Sequence, residues 1–563
     1  MSASFRQIAT VSKGEILQFR TEHAVEQLLT DSRVAVFSET ALFFAISGKT
    51  HDGHRFLKDL YEKGIRQFVV ENEKLVDLSL LPEANILLVK NAVTALQDIA
   101  AWHRHLFSIP TIGITGSNAK TIVKEWLFQL LSPDFSIVKS PKSYNSQIGV
   151  PLSVWQMRPE NTLAIFEAGV SQMGEMDNLA TIISPTIGIF TNIGPAHAEG
   201  FPSLKEKIAQ KARLFSTAEK IIYCKDHILV ASYLEENFPS QKLVSWGNSE
   251  ATKYKIEVEK DGISVSGKTF QIPFRDAASI ENLLHCVVLM LELQIEHQPI
   301  QNRILGLANI PMRLELKAGR HNCYLIDDTY NNDPEGLKIA LQFMQQQDMK
   351  RRKVVILSDM LETGLSSHVL YEQVATLLKD KNIDLLIAVG PEIGEHQHLF
   401  SQKALFYPNT EALLEQLSGL HLHDSLLLVK GARMFRFERL VQELAQKIHR
   451  TVLEINLNAL AHNLNVFRQM LNPGTKMMVM VKAFAYGSGS HEVAHLLQYH
   501  KVDYLAVAYP DEAIELRENN ITLPIMVMNP SPDEFDKMAK YNLEPELYSF
   551  EILKVFIEFS RQS

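Results

Sequence analysis

Cysteine is scarce in this chain: three residues, Cys224, Cys286 and Cys323, spread over 563 positions. An odd, widely spaced set indicates neither a disulfide framework nor a zinc cluster, and it fits a reducing cytoplasm. An excess of positive charge is missing too. Lys and Arg number 56 against 65 Asp and Glu, a formal net charge of −9, which argues against a general nucleic-acid binder. No uninterrupted apolar stretch is long enough to span a bilayer, and the start, Met1-Ser2-Ala3-Ser4-Phe5-Arg6-Gln7, has no apolar signal core. Long low-complexity linkers are also absent. What remains is 46% hydrophobic and 21% charged, the composition of a packed globular protein. The length accommodates roughly three or four domains of about 150 residues each.

Four regions follow from the patterning. Residues 1–108 mix short strands and helices, with Gln67–Val70 and Asn85–Val89 read as strands. In residues 109–310 apolar strands stop at polar residues: Leu163–Phe166 before Glu167, and Ile187–Phe190 before Thr191-Asn192-Ile193-Gly194-Pro195-Ala196-His197. Residues 311–447 repeat the style, with Tyr324–Ile326 before Asp327-Asp328, Val354–Leu357 before Asp359, and Leu426–Val429 before Lys430. Helical segments separate these runs. The expected fold class is therefore α/β, with parallel sheets covered on both faces and ligands beyond the carboxyl ends of the strands. A helix around Phe437–His449 leads almost directly into the fourth region, residues 451–563. There Val452–Ile455, Met477–Val481, Tyr504–Val507 and Pro524–Met528 read as buried strands in the rhythm of a partial (β/α) barrel.

The segment Gly113-Ile114-Thr115-Gly116-Ser117-Asn118-Ala119-Lys120-Thr121 carries the most information. It follows a strand-like run, Ser108–Ile112, and opens a helix-like run, Lys120–Leu131, with Ile122, Val123, Trp126, Leu127, Leu130 and Leu131 on one face. Strand, tight polar loop, Lys-Thr and helix is the layout of a nucleotide phosphate site. Backbone N–H groups of Gly116, Ser117, Asn118 and Ala119 would face the phosphates. Lys120 would add a point charge, and the Thr121 hydroxyl would help hold Mg²⁺. Ala119 stands where such loops usually carry glycine. If that position takes φ > 0, its Cβ costs about 1 kcal/mol or more.

Together these residues resemble the Mur ligases, over roughly residues 20–447. Further motifs carry the resemblance: Asp31-Ser32-Arg33 with Leu42–Gly48 and Asp52-Gly53-His54, Tyr144-Asn145-Ser146-Gln147-Ile148-Gly149, Thr191–Phe201, and Asp327-Asp328-Thr329-Tyr330-Asn331-Asn332-Asp333-Pro334. The resemblance implies a uridine-nucleotide N-terminal domain (1–108), a central ATP domain (109–310) and a Rossmann-like C-terminal domain (311–447). Within the family, the motifs point to the reaction joining UDP-MurNAc-tripeptide to D-Ala-D-Ala, with ATP and Mg²⁺. Ser32, Arg33, Asn145, Ser146, Asn331, Lys430 and Arg433 are implied as substrate contacts. Asn282, Arg313 and Asp328 are implied on the ATP side. Glu167 and His197 are implied as Mg²⁺ ligands, and Lys211 as a lysine that becomes carbamylated and binds a second Mg²⁺. A member adding a different amino acid is one alternative, although its Asp-Asn-Pro-Arg is replaced here by Asp-Asp-Thr-Tyr-Asn. An ATP-impaired scaffold that binds the precursor is another. Asp359-Met360-Leu361-Glu362 also resembles a family motif, with a structural role favoured.

The fourth region resembles alanine racemases. Val481-Lys482-Ala483-Phe484-Ala485-Tyr486-Gly487-Ser488-Gly489 is similar to their pyridoxal 5′-phosphate motif, supported by Ala461-His462-Asn463-Leu464 and Leu505–Ala513. The resemblance implies a Schiff-base lysine at Lys482, a cofactor contact at Tyr486, and dimerisation of the complete racemase. Only about half a barrel fits before Ser563, so residues 451–563 are expected not to racemise alanine alone.

Overall fold

The computed structural model describes residues 3–32, 39–48, 52–141, 143–194, 201–259, 262–274, 276–307, 315–329, 332–347, 349–361, 365–401, 403–446, 455–472, 475–487 and 490–562. The chain forms two compact units. One comprises Met1–Ile109, Leu131–Ala164 and Thr451–Ser563; the other comprises Pro110–Leu130 and Ile165–Arg450.

In the first unit, β1 (Glu15–Gln18), β2 (Gln27–Leu29), β3 (Ala41–Phe44), β4 (Gln67–Val70) and β5 (Asn85–Leu88) form a sheet in the order β1-β5-β4-β3-β2. Only the β1–β5 pair is antiparallel. Side chains alternate between faces along a strand. Leu42 and Phe44 accordingly pack with Ile8, Leu96 and Ile99 on one face, while Phe43 packs with Leu57 and Leu60 on the other. Both faces are covered, which explains why these strands read as unbroken apolar runs.

The second unit holds two sheets. In the first, β6 (Thr111–Thr115), α2 follows as Lys120–Leu131 after the earlier helix α1 (Ala92–Arg104), and then come β7 (Leu163–Glu167), β8 (Ile187–Phe190), α3 (Leu204–Ala212), β9 (Lys220–Cys224), β10 (Leu243–Gly247) and β11 (Tyr254–Val258). β12 (Gly262–Val265), β13 (Lys268–Gln271) and α4 (Ala277–Glu292) complete this part. The strand order is β13-β12-β11-β10-β9-β8-β6-β7. The pairs from β6 through β8, β9 and β10 to β11 are parallel, and β11-β12-β13 is an antiparallel meander. The chain leaves β6 for β7 on one side and returns to β8 on the other. The carboxyl end of β6 is therefore a topological switch point, where ligands bind in such sheets.

The second sheet runs β14-β15-β19-β16-β17-β18, formed by β14 (Glu315–Ala318), β15 (Tyr324–Asp328), β16 (Arg352–Ser358), β17 (Leu385–Val389), β18 (Ala404–Tyr407) and β19 (Ser425–Lys430). All pairs but β14–β15 are parallel. α5 (Pro334–Gln345) follows β15, and α6 (Pro391–Glu395) follows β17. The short α6 is anchored by Asp359. Its carboxylate accepts from the N–H groups of Ile393 (2.7 Å) and Glu392 (3.2 Å) and from the Tyr371 hydroxyl (3.2 Å). Satisfying a helix start in this way is a structural task.

The last part of the first unit is a parallel four-stranded sheet, β20 (Met478–Met480), β21 (Tyr504–Val507), β22 (Ile525–Val527) and β23 (Glu544–Pro545), in that spatial order. Leu505, Val507, Ile525 and Val527 pack with Leu497, Leu516 and Phe535. Of the expected strand at Val452–Ile455, residues 452–454 lie outside the described residues, and Ile455 is in no strand. β20 is less covered than its apolar sequence implies, with Met478 45% exposed. Before this segment, the helix expected over Phe437–His449 is shorter. It spans Glu438–Leu444 and gives way to a bridge between Gly319 and Ala445. Among the described residues, no helix is long and apolar enough to cross a membrane.

Candidate functional site

The phosphate-type loop is shorter than the sequence implies. β6 does not end at Ile112 but continues to Thr115, because Ile112–Thr115 pair in register with Ile187–Phe190 of β8. The turn is thus Gly116–Ala119, and α2 begins at Lys120. Val123, Trp126, Leu127, Leu130 and Leu131 are buried along α2. The turn is pinned from the β8 side. Ser117 N–H donates to the Asn192 carbonyl (2.9 Å), Asn118 N–H to Asn192 Oδ1 (2.9 Å), and Thr191 Oγ1 to the Asn118 carbonyl (2.8 Å). Gly116 has φ +148°, and a Cβ there would stand 2.0 Å from Thr191 Oγ1, so only glycine fits.

Ala119 has φ +70° and is 8% exposed. The departure noted in the sequence therefore falls on a left-handed position. An L-residue there pays roughly 1 kcal/mol relative to glycine.

Four lysines surround this turn. Lys120 Nζ donates to the carbonyls of Gly116 (2.8 Å) and Ser117 (2.9 Å). Lys211 Nζ donates to the Gly116 carbonyl (3.1 Å), and Lys207 Nζ to the Gly194 carbonyl (2.5 Å). Lys207 and Lys211 are one helical turn apart on α3, which Ser203 caps by accepting from Glu206 N–H at 3.1 Å. Burial, reinforced by the Lys120 and Lys207 ammonium groups, holds the Lys211 amine well below its ordinary pKa. Lys124, one turn beyond Lys120 on α2, stands 2.9 Å from Glu167 Oε1, and both side chains have 0% exposure. Thr121 Oγ1 donates to Glu167 Oε2 at 3.0 Å. Glu167 is the last residue of β7 rather than a residue beyond it.

The buried carboxylate and the adjoining Thr121 hydroxyl are hard oxygen donors of the kind Mg²⁺ takes. They fit the ion that the sequence implies there, with Lys124 supplying the neighbouring positive charge in this structure. Among the described residues, no group of three His, Cys, Asp or Glu is arranged to hold a metal. His197 lies outside the described residues.

The other sequence-implied residues fall into three places. In the second unit, Asp328 closes β15 and pairs across the strands with Lys430 of β19, Nζ to Oδ2 2.6 Å, in the register Asp328↔Lys430. Both are strand residues, not loop residues, because that pairing extends both strands. Lys430 is 2% exposed, whereas Arg433 is exposed. Arg313 and Asn331 lie outside the described residues. Asn282 is 5% exposed on α4, and its carbonyl accepts from Cys286 Sγ at 3.3 Å. In the first unit, Ser32 is half-buried, while Arg33 lies outside the described residues. Asn145 is half-buried, and the Ser146 hydroxyl accepts from Gly149 N–H at 3.2 Å.

Lys482 is half-buried just past β20, at the first residue of α7 (Lys482–Gly487). The next N–H, of Ala483, donates to Glu512 Oε1 (2.7 Å), and Glu512 Oε2 accepts from Ala508 N–H at 2.8 Å. The side chain of Tyr486 lies outside the described residues. Lys124 and Lys207 have no place in the sequence expectations. Their spacing of four from Lys120 and Lys211 was the available signal.

A parallel sheet with a Lys-Thr loop and buried lysines at its switch point defines a P-loop α/β protein. The comparisons narrow the class. Residues 114–290 match the Mur ligase middle domain, and residues 312–433 match the Mur ligase, glutamate ligase domain. Residues 455–563 match the alanine racemase, N-terminal domain. The chain thus carries matches to the middle and C-terminal domains of the Mur ligases, followed by a match to the alanine racemase N-terminal domain.

Its curated relatives include UDP-N-acetylmuramoyl-tripeptide–D-alanyl-D-alanine ligases. That of Bacillus subtilis is 26% identical over 78% of this chain and 98% of its own length. That of Rickettsia prowazekii is 29% identical over 71% and 91%. Among solved structures, MurF from Acinetobacter baumannii aligns with a TM-score of 0.68 at 23% identity, covering 79% of this chain and 99% of that one. MurF ligase from Thermotoga maritima in complex with ADP aligns at 0.62 and 21% identity, covering 74% and 97%. These structural likenesses establish a shared fold.

Two predictions come from the loop. Ala119→Gly relieves the left-handed strain, so it should stabilise the unit by about 1 kcal/mol in denaturant unfolding. A loss of stability would show that the loop does not hold this φ in solution. Lys124→Met leaves Glu167 as an uncompensated buried carboxylate, which should cost about 3 kcal/mol or more. Added Mg²⁺ should raise the melting temperature of this variant more than that of the parent, as a replacement cation.

Proposed function

We propose that the chain is an ATP-dependent peptide ligase that joins D-alanyl-D-alanine to UDP-N-acetylmuramoyl-tripeptide in peptidoglycan precursor synthesis. The observation that carries this reading is the convergence of Lys120, Lys207 and Lys211 on the Gly116, Ser117 and Gly194 carbonyls beside Glu167. The names of the relatives supply the substrates.

A carboxylate is a poor electrophile, so the reaction needs activation. An oxygen of the precursor's terminal carboxylate bonds to the γ-phosphorus of ATP. The bond from that phosphorus to the bridging oxygen breaks, and its electron pair leaves with ADP. The dipeptide amine then attacks the acyl carbon. The C–O bond to phosphate breaks, phosphate departs with the pair, and the amine nitrogen loses a proton. The first step demands alignment and charge neutralisation rather than covalent help.

Lys120 and the N–H groups at the start of α2 meet phosphate charge in this reading. Thr121 and Glu167 would hold Mg²⁺, which supplies further positive charge to phosphate oxygens when bound. Burial lowers the Lys211 pKa and so favours the neutral amine, the form that reacts with CO₂; carbamylation would turn it into an anion near Lys120 and Lys207. Asp328 and Lys430 present an ordered charge pair at the carboxyl ends of their strands.

The test is phosphate release by the purified chain with ATP, Mg²⁺, the tripeptide precursor and D-Ala-D-Ala. Dipeptide-dependent turnover is expected, falling about 100-fold or more in Lys120→Ala. Turnover with single amino acids but not with the dipeptide would favour a different Mur activity. Precursor binding without turnover in both the parent and Ala119→Gly would favour a scaffold, the reading to which the φ of Ala119 lends support.

The C-terminal segment carries a separate proposal. Lys482, at the carboxyl end of a strand in a parallel sheet, would hold pyridoxal 5′-phosphate covalently through Nζ. The cofactor would supply an electron sink for α-proton chemistry. Glu512 fixes the turn that carries the lysine. Incubation with pyridoxal phosphate should give a visible absorbance band that survives gel filtration and is lost in Lys482→Ala. An equal band in that variant would place the cofactor elsewhere.

A further inference from the structure

Lys207 is 1% exposed, and the resemblance assigns it no role. Its ammonium rests on the Gly194 carbonyl. That carbonyl also accepts from Ser117 Oγ at 3.1 Å, and Gly194 N–H donates to the same oxygen at 2.9 Å. The carbonyl therefore has a donor without the lysine. Burying an ammonium is costly, and an apolar side chain of similar length would fill the space at lower cost.

Charge explains what packing does not. Burial pushes the Lys207 amine down to about 8, the Lys120 ammonium pushes in the same direction, and the Asp333 carboxylate opposes both. Lys207 thus faces the phosphate turn through Gly194 and Ser117, and feels the loop after β15 through Asp333. Asp333 is 5% exposed and caps α5, accepting from Gly336 N–H at 2.8 Å. An amine that shares the Gly194 carbonyl with Ser117 of the loop is placed to meet a phosphoryl group carried on that loop.

We propose that Lys207 contacts the terminal phosphoryl group of a nucleoside triphosphate, exchanging the Gly194 carbonyl for phosphoryl oxygens, with Asp333 as its counter-charge until the nucleotide binds. This deepens the ligase reading and rests on it for the identity of the phosphoryl acceptor. No bond to Lys207 forms or breaks. The phosphoryl group passes from the ADP oxygen to the carboxylate oxygen, and the ammonium meets charge on its other oxygens.

Calorimetry on the full chain with Mg-ADP and with a non-hydrolysable triphosphate analogue separates this role from a structural one. Lys207→Met should leave ADP affinity within about threefold and weaken the analogue about tenfold or more, the size expected for a lost charge-assisted contact. Its melting temperature should match or exceed that of the parent. In turnover, kcat should fall while the KM for the dipeptide holds, and Lys207→Arg should recover part of kcat.

Asn caps helices as well as Asp, so Asp333→Asn keeps the fold and serves as the second variant. It should strengthen preference for the triphosphate, and that gain should vanish in combination with Lys207→Met. Equal weakening of ADP and analogue, no change in either, or a gain from Asp333→Asn that persists in the double variant would overturn the proposal. Nucleotide binding needs neither precursor nor dipeptide. A parent that discriminates the third phosphate yet shows no ligation would sink the ligase reading while leaving the Lys207 contact standing.

Discussion

Buried lysine amines gathered on backbone carbonyls are the constraint on which the Gly116–Ala119 turn depends. Lys207 and Lys211 are 1% and 3% exposed, and Lys120 shares the Gly116 carbonyl with Lys211. A carbonyl is a dipole and offsets only part of a lysine's charge; at Lys207 the Asp333 carboxylate adds to that offset. The lysines' mutual repulsion adds to burial in lowering the pKa values of Lys207 and Lys211. A polyanion would relieve that repulsion. The pinning of the turn by Thr191 and Asn192 gains its purpose here, because it fixes the Gly116 carbonyl that Lys120 and Lys211 share. Lys124 belongs to the same arrangement with the opposite assignment: it stands 2.9 Å from Glu167 Oε1 where neither side chain has any exposure.

Backbone strain sets a second limit, and magnitudes decide how far it reaches. Gly116 and Ala119 both take positive φ within four residues. At Gly116 the space is closed by Thr191 Oγ1. At Ala119 the obstacle is conformational, about 1 kcal/mol, whereas a tenfold change in an equilibrium takes about 1.4 kcal/mol. Even if the whole cost fell on nucleotide binding, affinity would drop by less than an order of magnitude. A scaffold without catalysis would need a larger defect than this one. Lys120 and Lys211 share the Gly116 carbonyl, and Thr121 donates to Glu167, so the Ala119 cost leaves that arrangement in place.

Much of this was legible in the primary structure, and the misses share a cause. The helix Lys120–Leu131 and the strands Gln67–Val70, Ile187–Phe190 and Tyr504–Val507 have the expected bounds, since strong apolar periodicity marks them. Strands run on to Thr115, Glu167, Asp328 and Lys430, past the ends that their apolar runs mark. Polar residues look like loop, but the neighbouring strands supply hydrogen-bond partners that carry the ladder onward. Lys124 and Lys207 escaped notice because an isolated lysine on a helix is nearly always solvated. Their burial depends on what packs over the helix, which only tertiary structure reveals. Ala119 was legible as an anomaly, while its φ was not.

The C-terminal sheet raises a different question: whether its segment is merely tethered to the rest of its unit. The contact at Glu26 argues otherwise. The Glu26 carbonyl accepts from Trp155 Nε1 at 2.8 Å and also from Lys501 Nζ. Burial, with help from Arg158, pushes the Lys501 amine down to about 7. A tethered segment would leave a lysine in water at no cost. Desolvating one instead requires compensating packing along the same surface. The segment that carries Lys482 is thereby held against the N-terminal part of the chain by a defined contact, and the turn bearing Lys482 is itself fixed from within by Glu512. In both units, then, a lysine opens a helix that follows a parallel strand, and a second element holds the backbone beside it.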